Sequence, residues 1–444
     1  MVKSSIMSQP ATTSAEHSTL ASSTARRQGA QLGWSLAGVS TLVLSYLIAL
    51  GLQRAGEVTH QFPQTVLWCA LPYLLAAHWL YQGARLPAAE RGSLLLITTA
   101  IPFLLMPLGF ALLQQPYSRG AILLVYALST TWFLFGDWLH GRHHTQRLLC
   151  LDASVPEQLQ RLLGNTRLRT QSVRLEPWPK DALASNQIPA CDGVVLDRQI
   201  APSDERLQLL SSLKLNHVRL YSVEAVAELL SGRKMLHASQ DELWQIDGNP
   251  AHDVAKRVID TAFVLGTLPL WLPLCVLVGL AVKLDSPGPA LFTQRRVGLN
   301  GRDFRLWKFR SMQHQQDPQP ARFAQQQDAR VTRVGRVIRR WRLDELPQLW
   351  NVLLGNMSLI GPRPEQTQFV HEFATRIPAY PYRHLVRPGI TGWAQVQQGY
   401  ADSEELTLIK LSYDLYYVAH YSMAVDLLIA YKTIRIVLNG FGSR

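Results

Sequence analysis

Two adjacent carboxylates stand out in an otherwise basic stretch of this chain. Asp344 and Glu345 lie in Leu343-Asp344-Glu345-Leu346-Pro347. Asp is a favoured helix cap and Pro is tolerated in a first helical turn. The pair is therefore expected at the start of a helix over 348–354, an end that attracts phosphate. Two such carboxylates can hold Mg²⁺ together with substrate phosphate oxygens. A carboxylate can also attack phosphorus and form a covalent acyl phosphate. Simple helix capping is the competing reading and, on the local pattern alone, the stronger one. Between Arg295 and Arg342 there are 13 Lys or Arg against 3 Asp. Gly361-Pro362-Arg363-Pro364-Glu365 places an arginine between two prolines, a stiff setting suited to bidentate phosphate recognition. Arg387-Pro388-Gly389-Ile390-Thr391-Gly392 is a second rigid basic turn.

These residues need elements to hold them. Phe304, Trp307 and Phe309 are interleaved with polar residues as in a strand. Val334, Val337, Ile338 and Trp341 recur at helical spacing among arginines. That pattern suits a helix lying at a membrane interface, with a helix on a soluble core as the alternative. No nucleic-acid motif accompanies the charge, so phosphorylated substrates and anionic headgroups explain it better than nucleic acid.

The segment before the basic region, 258–282, is apolar and long enough to span a bilayer. Pro269 and Pro273 interrupt it, and basic residues flank both ends. A spanning helix would carry the basic remainder to the outside. A helix that enters, breaks at Pro269 and Pro273 and returns keeps both basic ends inside, so a re-entrant helix over 256–283 is expected.

Over the whole 444 residues, 47% are hydrophobic, only 17% are charged, and the net charge is +12. This composition excludes a disordered or fibrous chain and points to a mixture of lipid-embedded and aqueous parts. Residues 1–30 read as a disordered cytoplasmic tail. Four transmembrane helices are expected within 31–140, near 32–52, 64–81, 93–113 and 121–138. Arg26, Arg27, Arg85, Arg91, Arg142 and Arg147 fall on one side, Arg54 and Arg119 on the other. The positive-inside rule then places both ends of the bundle in the cytoplasm. Residues 146–240 alternate β-like runs (147–151, 172–175, 193–196, 217–221) with helical ones (156–163, 204–213, 223–230), a small Rossmann-like α/β domain. The turn after its first strand, Leu151-Asp152-Ala153-Ser154-Val155, has no glycine, which favours a structural or regulatory role over cofactor binding. A linker at 241–252 leads to a catalytic domain over 253–444. The four scattered cysteines suggest neither zinc nor a disulfide framework.

From Lys256 onward the chain resembles the bacterial sugar transferases, the monotopic phosphoglycosyl transferases that start exopolysaccharide, capsule or O-antigen synthesis. The resemblance rests on ordered blocks: Lys256-Arg257 with Asp260, the proline-broken helix, Asp285-Ser286-Pro287-Gly288-Pro289, Gln294-Arg295-Arg296-Val297-Gly298, Lys308-Phe309-Arg310-Ser311-Met312, Leu343-Asp344-Glu345-Leu346-Pro347, Gly361-Pro362-Arg363-Pro364 and Arg387-Pro388-Gly389. Its helical head and α/β unit are similar to those of the large members, and Tyr413-Asp414-Leu415-Tyr416-Tyr417 to members of the exopolysaccharide type. The resemblance implies an α plus α/β membrane protein with a catalytic domain on a re-entrant helix, in the bacterial inner membrane and facing the cytoplasm. It implies transfer of a sugar-1-phosphate, glucose-1-phosphate as the specific expectation, from a UDP-sugar to undecaprenyl phosphate with release of UMP. Asp344 is then the nucleophile, and Glu345 helps to bind Mg²⁺ or to position Asp344. Lys308 and Arg310 lie near phosphate, Arg363 holds the diphosphate, and Arg387 and Asp414 line the substrate site. A homodimer and hand-off to downstream glycosyltransferases are further implications. The competing readings are a non-catalytic scaffold of a polysaccharide assembly complex and a membrane-tethered nucleic-acid binder. The intact acidic pair, Lys308 and Arg363 argue against the first, and the missing base-reading motif against the second.

Overall fold

The computed structural model describes residues 32–83, 90–143, 146–164, 173–179, 191–201, 203–236, 248–313, 330–398 and 404–438. The expected tail at 1–30 and most of the expected linker lie outside them. The chain divides into two compact units, Met1–Ser45 with Thr131–Val226, and Tyr46–Thr130 with Ala227–Arg444.

The N-terminal region is helical: α1 (Leu32–Arg54), α2 (Gln61–Trp68), α3 (Ala70–Gln82), α4 (Arg91–Leu112) and α5 (Arg119–His143). Three of the four expected spans are long and apolar enough to cross a bilayer: Leu32–Arg54, Arg91–Leu112 and Arg119–Leu139. The expected second span instead divides at Cys69 into α2 and α3. Pro72, three residues on, has no N–H for the carbonyl one turn back, which weakens the helix there. Among the described residues one more helix is long and apolar enough, Leu268–Asp285, in the segment expected to be re-entrant.

The α/β unit follows the sequence pattern closely. It comprises β1 (Gln146–Cys150), α6 (Val155–Leu163), β2 (Val173–Pro177), β3 (Gly193–Leu196), α7 (Asp204–Leu215), β4 (Leu220–Ser222) and α8 (Val223–Ser231). The four strands are parallel in the order β2-β1-β3-β4. In such sheets ligands bind beyond the carboxyl ends of the strands where the order reverses, here between β1 and β3. That place is filled by the chain's own polar groups. Arg206 forks onto Asp152 at 2.5 and 2.9 Å, and the Asp197 N–H donates to Asp152. Ser154 and Gln158 donate to the Asp197 carboxylate.

The C-terminal region begins with α9 (Pro250–Gly266) and α10 (Leu268–Asp285), which meet at Thr267. The break therefore lies just upstream of Pro269. The Thr267 hydroxyl and N–H both donate to the Phe263 carbonyl. Pro269 occupies the first turn of α10, where a missing N–H costs nothing. Pro273 lies inside α10, which continues through it and does not end there. The Trp271 indole reaches back to the Val264 carbonyl at 3.0 Å. Leu270, Leu277 and Leu280 of α10 are exposed.

Beyond this pair lie the antiparallel hairpin β5 (Leu291–Val297) and β6 (Asp303–Phe309), α11 (Arg333–Arg340), a 3₁₀ turn (Leu343–Glu345) and α12 (Gln348–Leu353). Next come β7 (Ser358–Ile360), α13 (Thr367–Arg376), β8 (Gly389–Thr391, parallel to β7), α14 (Trp393–Gln397), α15 (Glu404–His420) and α16 (Met423–Leu438). Val264, Trp271, Leu306, Val352 and Met357 form one core cluster beneath the hairpin, and Val278, Val282, Phe309 and Ile338 another. Leu94, Ile97 and Ile101 of α4 share a third with Trp393, Val425, Leu428 and Ile429. Within this unit, α4 is thus part of the same core as the C-terminal helices. Lys432 anchors the contact: it pairs with Glu90 at 2.6 Å and lies over the Trp393 ring.

Candidate active site

The acidic pair sits in the 3₁₀ turn before α12, and neither carboxylate caps that helix. The helix itself begins at Gln348 as expected, and the acidic pair stands in a separate turn ahead of it. Helix α11 ends at Arg340 with Trp341 as its C-cap, and Arg342 turns the chain with a left-handed backbone (φ 54°). The opposite wall is β6. Asn351, fully buried, donates to the Arg305 carbonyl at 2.7 Å and accepts from the Trp307 N–H at 3.1 Å. One side-chain amide thereby completes the strand's hydrogen bonding and fixes α12, with the turn before it, against Lys308.

Glu345 is the hub. It is 8% exposed. Arg363 donates to it at 2.5 Å and Lys308 at 3.3 Å. Burial alone would raise its proton affinity, but Arg363 and Lys308 outweigh burial and hold the carboxyl well below the usual range. Lys308 is pushed down by burial and partly restored by Glu345. Asp344 has the opposite fate. Its carboxylate accepts no hydrogen bond from any described residue. Burial, then the charge of Glu345, raise it to about 6, against the pull of Lys308, Arg363 and Arg339. Neighbouring carboxylates with separated proton affinities mark different chemical roles.

The loop that carries Arg363 is held from behind. Arg383, 3% exposed, donates to the Arg363 carbonyl at 2.8 Å and pairs with Asp414 at 2.7 Å. Arg296 donates to the Pro364 carbonyl, and Glu365 pairs with Lys410 and Arg296. Gly361 faces the Arg387 carbonyl so closely that a Cβ would stand 2.3 Å from it. The Gly361 N–H donates to Thr391 and the Gly389 N–H to Pro362.

A neutralised carboxylate, a second one that accepts no hydrogen bond from a described residue and two phosphate-competent cations at a turn are equipment for phosphoryl transfer. The family profile described as bacterial sugar transferase matches residues 251–440. The UDP-N-acetylgalactosamine-undecaprenyl-phosphate N-acetylgalactosaminephosphotransferase of Aeromonas hydrophila is 40% identical over 377 residues, covering 84% of this chain and 86% of that protein. This chain belongs to the bacterial sugar transferase family. The UDP-glucose:undecaprenyl-phosphate glucose-1-phosphate transferase of Caulobacter vibrioides is 45% identical over 41% of this chain and 70% of its own length. The exopolysaccharide production protein PSS of Rhizobium leguminosarum is 39% identical over 41% of this chain and 94% of its own length.

In this sugar transferase the structure brings Lys308, Asp344, Glu345 and Arg363 together and places three other expected residues elsewhere. Arg310, 6% exposed, donates to the Ser286 and Pro287 carbonyls and so locks the chain leaving α10. Those hydrogen bonds commit its guanidinium to the end of α10 and not to the acidic pair. Asp414, 2% exposed, lies behind Arg363 as the partner of Arg383. Arg387 lines a separate small cavity with Asp253, Lys256, Arg257, Asp260 and Ser358. Arg339, Asn351 and Arg383 are site residues that sequence reasoning missed. Only Arg339 carried a signal, its place in the arginine-rich helix. Among the described residues no three His, Cys, Asp or Glu side chains converge on a metal position. The donors present fit a Mg²⁺ ion that takes most of its oxygens from substrate phosphate, with Asp344 as the available carboxylate. Glu345 fits less well, because two cations already neutralise it.

Proposed function

We propose that the chain transfers a sugar-1-phosphate from a UDP-hexose to undecaprenyl phosphate, releasing UMP, as the first step of an exopolysaccharide. The observation that carries this reading is the unequal acidic pair, with Asp344 accepting no hydrogen bond from a described residue beside a Glu345 clamped by Lys308 and Arg363. An ionised Asp344 oxygen attacks the sugar-bearing phosphorus. The bond from that phosphorus to the UMP oxygen breaks, and UMP leaves with the electron pair. An oxygen of the lipid phosphate then attacks the same phosphorus, and the bond to Asp344 breaks to restore the carboxylate. Lys308 and Arg363 neutralise charge on the phosphoryl oxygens, and Glu345 holds both in place. Bound Mg²⁺ would supply further neutralisation of the diphosphate from a position at Asp344. Glucose is the sequence expectation for the sugar. N-acetylgalactosamine appears in the name of a relative that matches along most of the chain.

We also infer that α9 and α10 enter the membrane from the cytoplasmic side and return to it. Arg257 of α9 donates to the Val352 and Leu353 carbonyls, and Asp285 at the end of α10 accepts from the Val334 N–H. A straight helix would carry these two residues about 40 Å apart. Both are instead tied to the α11–α12 segment, which supports a fold-back. The flanking arginines of the head favour a cytoplasmic catalytic domain in the inner membrane.

The test is UMP release from UDP-glucose and UDP-N-acetylgalactosamine by membrane-embedded protein with Mg²⁺, with and without undecaprenyl phosphate, beside Asp344→Asn. Lipid-dependent release from one donor is expected, reduced on the order of 10³-fold or more in the variant. The wild type should carry a sugar-phosphate adduct, visible by intact mass, when lipid is withheld. Release that survives Asp344→Asn would refute the nucleophile, and no release from either donor would refute the activity.

A further inference from the structure

Arg342, the residue that leads into the acidic turn, adopts a conformation better suited to glycine. Its φ of 54° and ψ of 22° lie in the left-handed region. Side chains there meet the neighbouring backbone, which is why glycine usually ends a helix in this way. Both of its backbone groups are engaged. The N–H closes α11 on the Arg339 carbonyl at 3.1 Å, and the carbonyl accepts from the Glu345 N–H at 3.2 Å. The backbone thus has every use for a glycine here, and the chain carries an arginine.

The guanidinium makes no direct contact of its own with a carboxylate, although its charge adds to those that keep Glu345 ionised. Arg342 is half-buried, and its side chain has no hydrogen-bond or ion-pair partner among the described residues. The other cations of the site are committed: Lys308 and Arg363 to Glu345, and Arg339 through its Nε to the Ser311 hydroxyl at 2.8 Å. Against the two carboxylates, these four cations leave a surplus of two positive charges. The next residue back, Trp341, and Val337 one turn earlier expose apolar surface beside it.

We propose that the Arg342 guanidinium is reserved for a substrate phosphate at the acidic turn. This rests on the phosphoryl-transfer reading above. A guanidinium fork fits two phosphate oxygens at once. The phosphate is either the diphosphate of the nucleotide sugar or the monophosphate of the lipid, and the two present the same oxyanion chemistry.

Arg342→Gly separates backbone from charge, since it relieves the left-handed conformation and removes the guanidinium. Arg342→Lys restores charge without the fork, and Arg342→Asn tests the charge in a second residue that tolerates this backbone. The full chain would be assayed in nanodiscs for KM towards UDP-glucose, UDP-N-acetylgalactosamine and undecaprenyl phosphate. Its melting temperature would be measured with each compound alone. Arg342→Gly should melt no lower than wild type without ligand, and KM for one substrate class should rise about 10- to 100-fold, with partial recovery in Arg342→Lys. A rise confined to the nucleotide sugars assigns the donor diphosphate, and a rise confined to the lipid assigns its phosphate. Wild-type affinity for both in Arg342→Gly and Arg342→Asn would overturn the proposal. Should the wild type release no UMP, the activity reading falls, and thermal stabilisation still decides the matter. Stabilisation of wild type by a phosphate ligand, lost in Arg342→Gly, upholds the role of Arg342. Equal stabilisation of both, or none in wild type, overturns it.

Discussion

Replacing Glu345 by glutamine should make Asp344 a stronger acid. The Asp344 carboxyl is raised from its ordinary value of 3.8 to about 6, roughly two pKa units, or about 3 kcal/mol against the charged form. Burial is the largest cause, and the neighbouring charge of Glu345 comes next. For scale, two like charges at an illustrative separation of about 6 Å and an effective dielectric near 20 repel by about 2.8 kcal/mol, or some two units. Glu345→Gln removes that charge while leaving Lys308 and Arg363 as cations facing Asp344. Burial remains, so a fall of about one to two units is expected. An attacking carboxylate must be ionised, so activity is present above its pKa and lost as pH falls through it. The acid limb of the rate profile should therefore lie near pH 6 in the wild type and near pH 4 to 5 in the variant. The plateau rate should drop, because Lys308 and Arg363 lose the group that holds them. The assay is the single-turnover UMP burst without lipid, from pH 4 to 8, which removes the titration of the lipid phosphate. The donor is common to both proteins, so the difference between their limbs reports the enzyme. An acid limb that stays near pH 6 in Glu345→Gln, or moves upward, would refute the electrostatic coupling of the pair.

Three further outcomes follow from the packing. Arg383→Met strands the buried Asp414 carboxylate and frees the loop of Arg363, so a loss of about 3–5 kcal/mol in stability is expected, measured as a lower melting temperature. Asp414→Asn, which keeps a hydrogen-bonding partner for Arg383, should lose less, and an equal loss would argue against this pairing as the cause. Gly361→Ala forces a methyl group against the Arg387 carbonyl, so a cost of about 1–3 kcal/mol and a fall in UMP release are expected, while wild-type activity would show that the loop has room. Glu90→Ala leaves Lys432 without its acidic partner at the edge of the α4–α16 core, and a cost of about 1–3 kcal/mol should appear as a lower melting temperature of the full chain in detergent.

Much of the architecture was legible because it is written in short-range patterns. The strands of the α/β unit are brief apolar runs between amphipathic helices, and 193–196 was placed to the residue as β3. The apolar head was legible from composition. Its second span was not, because the influence of Pro72 on the turn before it depends on how the helix settles around the missing N–H. The break between α9 and α10 was expected at two prolines and lies at Thr267. A proline disturbs the residues before it more than itself, and a hydroxyl able to take a freed carbonyl decides where the disturbance is absorbed.

The site divides along the same line. The amino-acid sequence by itself determined that a pair of acids, a lysine and a proline-held arginine occur in the order of a sugar transferase, because each of these is a local motif. Tertiary structure alone decided that both cations hydrogen-bond to Glu345 and neither to Asp344, since Lys308 arrives on β6, 36 residues before Asp344, and Arg363 on a loop beyond β7. It decided that Asp414 serves Arg383 behind the loop, and that Arg310 turns away to Ser286. Ion pairing is a matter of distance and burial. Neither can be read along a chain until the fold has chosen which side chains meet and how much water is left between them.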